Sequence, residues 1–206
     1  MRYETGCRMI EESQVAVLVS EAKAGRLQAF NMLVEEYQSP IYNLAYRMLS
    51  IMDTAAAEDI AQDTFVAAYR KLHQFKEGNF RAWLMKIAAN FCRDYMRSAQ
   101  VRRNVSLEAL VEQPSFVVAS NGTSPEDFTL RRELAEVLQA TLMTLPEDQR
   151  LAVVLVDVQE FSYEESAKIM GIPVGTVKSR LSRGRLALRD RLLSQRELLP
   201  VEFRLR

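Results

Sequence analysis

One run near the C-terminal end, Ser162 to Leu193 (SYEESAKIMGIPVGTVKSRLSRGRLALRDRLL), leaves little freedom in what the chain can become. Ser162 and Glu165 stand at capping-box spacing, so each side chain can satisfy the other residue's free backbone N–H and start a helix at Tyr163. Gly171 suits the left-handed position that closes a helix, and Pro173 turns the chain two residues later. A second helix starts near Val174, with Val177, Leu181, Leu188 and Leu192 as its apolar stripe and Gly184 thinning the middle. Its other face carries Thr176, Lys178, Ser179, Ser182, Arg183 and Arg185, the hydroxyls and cations that meet phosphates and base edges in a major groove. Two short helices, a Gly-containing turn and a basic second helix make a helix-turn-helix. The blander alternative is an amphipathic helix whose cations are only solvated.

Charge supports the first reading locally and not globally. Lys plus Arg equals Asp plus Glu, at 27 each, yet from Thr176 to Arg206 nine Lys or Arg stand against only Asp190, Glu197 and Glu202. That is a nucleic-acid footprint confined to one end. Cys7 and Cys92 are far apart, with no CxxC or Cys/His cluster, so neither a zinc site nor a disulfide framework is expected, and no metal or cofactor is implied. No apolar run approaches the roughly 20 residues that span a bilayer, and Met1 to Gln14 lacks the apolar centre of a signal peptide, so a cytoplasmic protein is expected.

The rest of the chain reads as helices without alternating strand patterns, which predicts an all-α fold. Residues 1–12 carry no periodicity and read as a mobile leader. Ser13 can cap a helix through Ala24, ended by Gly25; Leu27 to Tyr37 is a second, with Phe30, Leu33, Val34 and Tyr37 on one side. Ser39 and Pro40 read as an N-cap and first helical position, predicting a third helix from Ile41 to about Leu49. Asp53 or Thr54 starts a fourth, whose apolar face is Ile60, Phe65, Ala68, Tyr69 and Leu72. Its remaining face, with Glu58, Asp59, Gln62, Asp63 and Arg70, fits either simple solubility or docking against basic helices of another protein.

After a loop at Lys76 to Asn79 comes a fifth helix, NFRAWLMKIAANFCRDYMRSAQVRR. Phe80, Trp83, Leu84, Ile87, Ala88 and Phe91 form a wide stripe, most of which must be core. Arg81, Lys86, Arg93, Arg97, Arg102 and Arg103 surround it. Cations interleaved with aromatics can hold unstacked bases of a single strand. Residues 102–124, rich in Pro, Ser, Asn and Gly toward the end, read as a linker with a possible helical turn at Leu107 to Val111. Ser124 and Pro125 restart a helix that ends near Leu145, and Thr144 and Glu147 form a second capping-box spacing around Pro146, opening a helix to about Val158.

The segments AEDIAQDTFVAAYRKLHQF and NFRAWLMKIAANFCRDYMR resemble region 2 of the extracytoplasmic-function, or group 4, bacterial RNA polymerase sigma factors. LPEDQRLAVVLVDVQEFSYEESAKIMGIPVGTVKSRLSRGRLALR resembles their region 4, so the resemblance covers about Gly25 to Leu193 in the family's order and spacing. It implies two small helical domains, residues 13–101 and 125–195, joined by a flexible linker at 102–124 and followed by a tail at 196–206. It implies that Asp59, Gln62, Asp63 and Phe65 belong to the helix that meets the clamp helices of the polymerase's largest subunit, with Phe65 in the core, and that the polymerase flap is also a partner. Asn79, Phe80, Arg81 and Trp83 would lie nearest a flipped base of the -10 element, with Lys86, Asn90, Arg93 and Arg97 along the strand or duplex above. Trp83 and Ile87 fit a structural role equally well. Lys178, Ser179, Ser182 and Arg183 would read base edges of the -35 element, with Thr176, Arg180 and Arg185 on phosphates. The linker would thread the polymerase cleft or serve as an inert tether, and an anti-sigma protein would hold the factor until a stress signal.

Two other classes compete. An activator's output domain would share the helix-turn-helix but would need a sensing domain, where Gly25 to Arg97 instead supplies an aromatic-basic helical region. An enzyme is disfavoured, because His73 is the only histidine, no Gly-rich phosphate loop precedes a helix, and no Cys/His metal cluster appears.

Overall fold

The structure, a computed structural model, describes residues 11–49, 53–105 and 125–194. The leader before residue 11 with Cys7, the linker from 106 to 124 with its expected turn at Leu107 to Val111, and the tail beyond 194 lie outside the described residues. Among the described residues every regular element is helical, as the sequence predicts. Helices α1 (Glu12–Lys23), α2 (Leu27–Met48), α3 (Thr54–Lys71) and α4 (Phe80–Val105) form the first domain. Helices α5 (Pro125–Met143), α6 (Glu147–Val153), α7 (Tyr163–Met170) and α8 (Val174–Ser194) form the second. Helix α4 runs to Val105, past the residue 102 at which the linker is expected to start.

The break expected at Ser39 and Pro40 does not occur; α2 passes straight through Pro40. Phe30, Leu33, Tyr37, Ile41, Leu44, Ala45 and Met48 are all buried along one continuous face, and packing that whole face outweighs the single backbone hydrogen bond a proline removes. The α1 cap also differs, with Glu11 at that position instead of Ser13 and no side-chain bond. Lys23 of α1 donates to the Phe75 carbonyl, tying α1 to the short 3-10 turn Leu72–Gln74 that ends α3.

On α4 the buried stripe is turned relative to the expectation. Phe80, Leu84, Met85, Ala88, Ala89 and Cys92 are buried, while Trp83, Ile87 and Phe91 lie half-buried along its edge. Small residues let α4 approach its neighbours closely, so the seam follows Ala88, Ala89 and Cys92, not the larger aromatics. Tyr69, expected on the α3 core face, is 46% exposed and meets Phe30 edge-on at 5.0 Å. Burial pushes the Cys92 thiol up to about 12. A thiol that seldom ionises and has no solvent access is not a nucleophile. Iodoacetamide at pH 8 is therefore expected to leave Cys92 unmodified in the native chain and to alkylate it in guanidinium, as peptide mass analysis would read; rapid native alkylation would place Cys92 elsewhere.

In the second domain Leu145, Leu151, Val154, Leu155, Phe161, Ile169, Val177 and Leu181 make the core. The capping box expected at Thr144 and Glu147 is absent: Pro146 occupies the cap, and the Thr144 hydroxyl turns back to donate to the Thr141 carbonyl at 2.7 Å. Helix α6 continues as one π-wound turn, Val154–Val158, closed by Gln159 N–H donating to the Val154 carbonyl at 2.9 Å. The Ser162 and Glu165 box forms as predicted, with Ser162 N–H donating to Glu165 Oε2 at 3.0 Å and Glu165 N–H to Ser162 Oγ at 3.2 Å. Gly171 closes α7 at a φ of 69°.

Gly184 is buried where α8 crosses α6. A β-carbon there would lie 2.8 Å from Val153 Cγ2 and 3.3 Å from the Gln149 carbonyl. Val153 is β-branched and cannot swing away, so the helices would have to separate. Gly184→Val is expected to destabilise the second domain by about 1–3 kcal/mol, seen as a lower midpoint in urea. An unchanged midpoint would contradict the close crossing.

Candidate functional site

Three helical faces carry the residues singled out by sequence. On α3, Asp59, Gln62 and Asp63 are exposed on adjacent turns, and Val66, 48% exposed, continues the same row. Their i, i+3, i+4 and i+7 spacing puts them on one side, leaving Ile60, Thr64 and Ala68 to face the core. Phe65 is 9% exposed and packs inward, so it positions this face and does not present itself on it. A groove of about 470 Å³ runs between α2 and α3 beside Gln62, lined by Gln38, Tyr42, Glu58 and Phe65.

On α4, positions 79, 83, 86, 90, 93 and 97 follow helical spacing and form one band, with Asn79, Lys86, Asn90 and Arg97 exposed and Trp83 and Arg93 half-buried. Asn79 caps the helix, its Oδ1 accepting from Ala82 N–H at 2.9 Å. Arg93 donates to Asn90 Oδ1 at 3.1 Å, holding two members of the band together. Phe80 lies inward of this band. It is 3% exposed, with ring centroids 5.8 Å from Tyr37, 5.3 Å from Phe75 and 5.5 Å from Trp83. Phe80 falls on the buried stripe and packs against the Trp83 ring.

Arg81 also leaves the band. Its guanidinium donates to both the Gln159 backbone carbonyl and Gln159 Oε1 at 2.9 Å and lies 4.5 Å over the Phe161 ring. Burial holds its pKa below the usual guanidinium value, with Tyr37, Glu160 and Glu165 acting in the other direction. The Asn79 amide donates to Glu165 Oε1 at 2.7 Å. Burial would raise the Glu165 carboxyl, but bonds from Ser162 and Asn79 outweigh it and leave its pKa lowered.

On α8, Lys178, Ser179, Ser182 and Arg183 are exposed side by side. Arg180 and Arg185 are held by carboxylates of their own domain, Arg180 by Asp148 at 2.8 Å and Arg185 by Asp157 through hydrogen bonds of 2.5 and 3.1 Å. Donating to Asp157 raises the Arg185 pKa further. Thr176 is half-buried, and its carbonyl accepts the Ser179 hydroxyl at 2.9 Å. Lys178 lies 5.5 Å over the Tyr163 ring, so α7 steadies the first turn of α8.

Sequence reasoning missed the polar residues where the two domains touch. Gln139, 1% exposed, donates to the Tyr46 and Leu49 carbonyls at 2.8 and 3.2 Å. Arg150 donates to the Met48 carbonyl at 2.5 Å and to the Met143 and Leu145 carbonyls at 3.1 and 3.0 Å. Gln159, 5% exposed, donates to the Pro40 carbonyl at 3.0 Å. An amide embedded in the apolar run LAVVLVDVQEF was the available signal for Gln159.

Residues 33–102 match the sigma-70 region 2 family and residues 135–188 the sigma-70 region 4 family. The ECF RNA polymerase sigma-E factor of Escherichia coli is 37% identical over 191 residues, covering 89% of this chain and 97% of that protein. The ECF RNA polymerase sigma factor SigE of Mycolicibacterium smegmatis is 35% identical over 182 residues, 88% of this chain and 68% of that protein. Among solved structures, CnrH in complex with the cytosolic domain of CnrY superposes with a TM-score of 0.65 at 28% identity, covering 87% of this chain and 97% of that one. The sigma factor RpoE of Bartonella quintana, in complex with the anti-sigma factor NepR, gives 0.65 at 29% identity over 79% and 96%. With both regions matched in order and a relative aligned along almost its whole length, the chain belongs to the extracytoplasmic-function group of the sigma-70 family of RNA polymerase sigma factors.

Proposed function

We propose a division of labour among the three faces that lets this sigma factor direct core RNA polymerase to its promoters. The exposed α3 row of Asp59, Gln62 and Asp63 docks on the polymerase clamp helices, held in place from behind by Phe65. The α4 band of Asn79, Trp83, Lys86, Asn90, Arg93 and Arg97 takes the -10 element, with Trp83 as the flat surface for an unstacked base and the cations on phosphates. Arg81 joins them once free of Gln159, and Phe80 serves as the rigid floor under Trp83.

The α8 face takes the -35 major groove. Lys178, Ser179, Ser182 and Arg183 are exposed and available to base edges, whereas Arg180 and Arg185 are already oriented by Asp148 and Asp157, which suits fixed positions on phosphates. The second domain also meets the polymerase flap, and an anti-sigma protein holds the factor inactive. The complex of the similar RpoE with the anti-sigma factor NepR favours that last element.

The observation that carries the reading is the coexistence of an exposed acid-amide row, an aromatic-cation band and a basic recognition helix on separate helices of one chain. Its test is to sequence the 5′ ends of transcripts that appear when the chain is overproduced. Two sequence blocks at constant separation upstream of those ends are expected. Induced transcripts without any shared upstream block would defeat the reading.

A further inference from the structure

Within the second domain, α8 is held on α6 and its π-wound extension at three points. Gly184 lies at the crossing, against Val153 and Gln149. Before the crossing Arg180 meets Asp148 of α6 at 2.8 Å, and just after it Arg185 meets Asp157 of the π-wound turn. The second pair is a fork: Arg185 Nε donates to Asp157 Oδ2 at 3.1 Å and Nη2 to Oδ1 at 2.5 Å. A planar guanidinium gripped along one edge is fixed in orientation, and its Nη1 amino group takes no part in the pair. Arg185 is also the outer partner, its side chain 52% exposed against 31% for Asp157, so an approaching phosphate meets the cation before the carboxylate. Two opposed effects on DNA binding result. The Asp157 charge repels phosphate, while its grip orders a long side chain that would otherwise lose rotamer freedom as the complex forms. Salt screens the repulsion and leaves the ordering in place.

We propose that Asp157 is a positioning residue for the -35 element, presenting the Arg185 guanidinium to a phosphate already oriented, and that this benefit exceeds the repulsion only while Arg185 is there to be held. Asp157 acts through the arginine and touches no DNA itself. Without the arginine, the same carboxylate is left facing the phosphate and becomes an obstacle. The inference rests on the assignment of α8 to the -35 major groove.

The test is a double-mutant cycle in holoenzyme assembled from core polymerase and the full chain, with Asp157→Ala and Arg185→Ala made singly and together. The probe is a labelled promoter duplex carrying the upstream sequence block found by transcript mapping, titrated by fluorescence anisotropy. In the wild-type background Asp157→Ala should weaken binding by about fivefold. In the Arg185→Ala background the same change should tighten binding by about threefold at low salt, and the gain should fade as salt rises. Both variants should keep the wild-type urea midpoint, because an exposed ion pair adds little to stability. A purely structural role cannot reverse sign, since lost stability weakens binding in either background. Weaker binding in both backgrounds, tighter binding in both, or no effect in the wild-type background would each overturn the proposal. The α8 assignment is judged separately by holoenzyme carrying only Arg183→Ala. If that holoenzyme still prefers the block over a scrambled one as strongly as wild type does, the assignment falls and the inference with it; a failed cycle beside a lost preference sinks the positioning role alone.

Discussion

The chain carrying Asp59→Lys and Asp63→Lys is expected to bind core RNA polymerase on the order of a hundredfold more weakly than wild type, with its helix content and melting midpoint little changed. Both carboxylates are exposed on α3, and that helix packs on the core through Ala57, Ile60, Thr64, Phe65 and Ala68 on the opposite side. Reversal therefore acts on the proposed docking surface and not on the fold. Two acids turned to bases also convert attraction to repulsion against a basic partner helix, which removes more than neutralisation would. Titration of labelled chain with core polymerase reads the effect, and rising salt should narrow the gap, because exposed charges are screened. Equal affinity for both chains at low salt would show that α3 is not the docking helix.

The second large effect is expected on α8. Arg183→Ala should weaken binding to a -35 duplex by roughly ten- to a hundredfold and relax the preference at one base pair, as removing a bidentate hydrogen bond to a base does. Arg185→Ala should behave differently. Its guanidinium is held by Asp157; on the proposed assignment it sits on a phosphate, and removing such a cation weakens all sequences alike and lowers the salt slope by about one. The difference between the two variants is the informative quantity, measured as affinity against a panel of single base-pair substitutions at several salt concentrations. The opposite pattern, with specificity relaxed by Arg185→Ala and not by Arg183→Ala, would exchange their roles.

Local signals in this chain were legible where they rest on chemistry within a few residues. The Ser162 and Glu165 capping box, the Gly171 closure and the start of α8 near Val174 all stand as read, because reciprocal backbone bonds and a left-handed turn need nothing from elsewhere in the fold. The exposed α3 row was equally readable, since periodicity alone separates Asp59, Gln62 and Asp63 from Ile60 and Ala68. Signals that compete with packing were misread. Ser39 and Pro40 look like a helix start, yet the buried face from Phe30 to Met48 runs through them. Tyr69 looks like a core residue of α3, but it is 46% exposed and meets Phe30 edge-on. Thr144 was free to choose between a cap and the Thr141 carbonyl, and only the structure records the choice. The contacts between the domains were beyond reach for a different reason: Gln139 and Gln159 meet carbonyls some 93 and 119 positions away in the chain, and no periodicity encodes a pairing between domains.

In the proposed function this chain gives core polymerase a start site through two separate DNA-reading surfaces. Its most direct test is reconstituted transcription from purified core polymerase and the purified chain, on a linear template bearing a promoter found by transcript mapping. A discrete run-off product is predicted only when the chain is present, reduced by changes in either upstream block and abolished by the Asp59→Lys, Asp63→Lys chain. Core polymerase that initiates at the same position without the chain, or fails to initiate with it, would contradict the account.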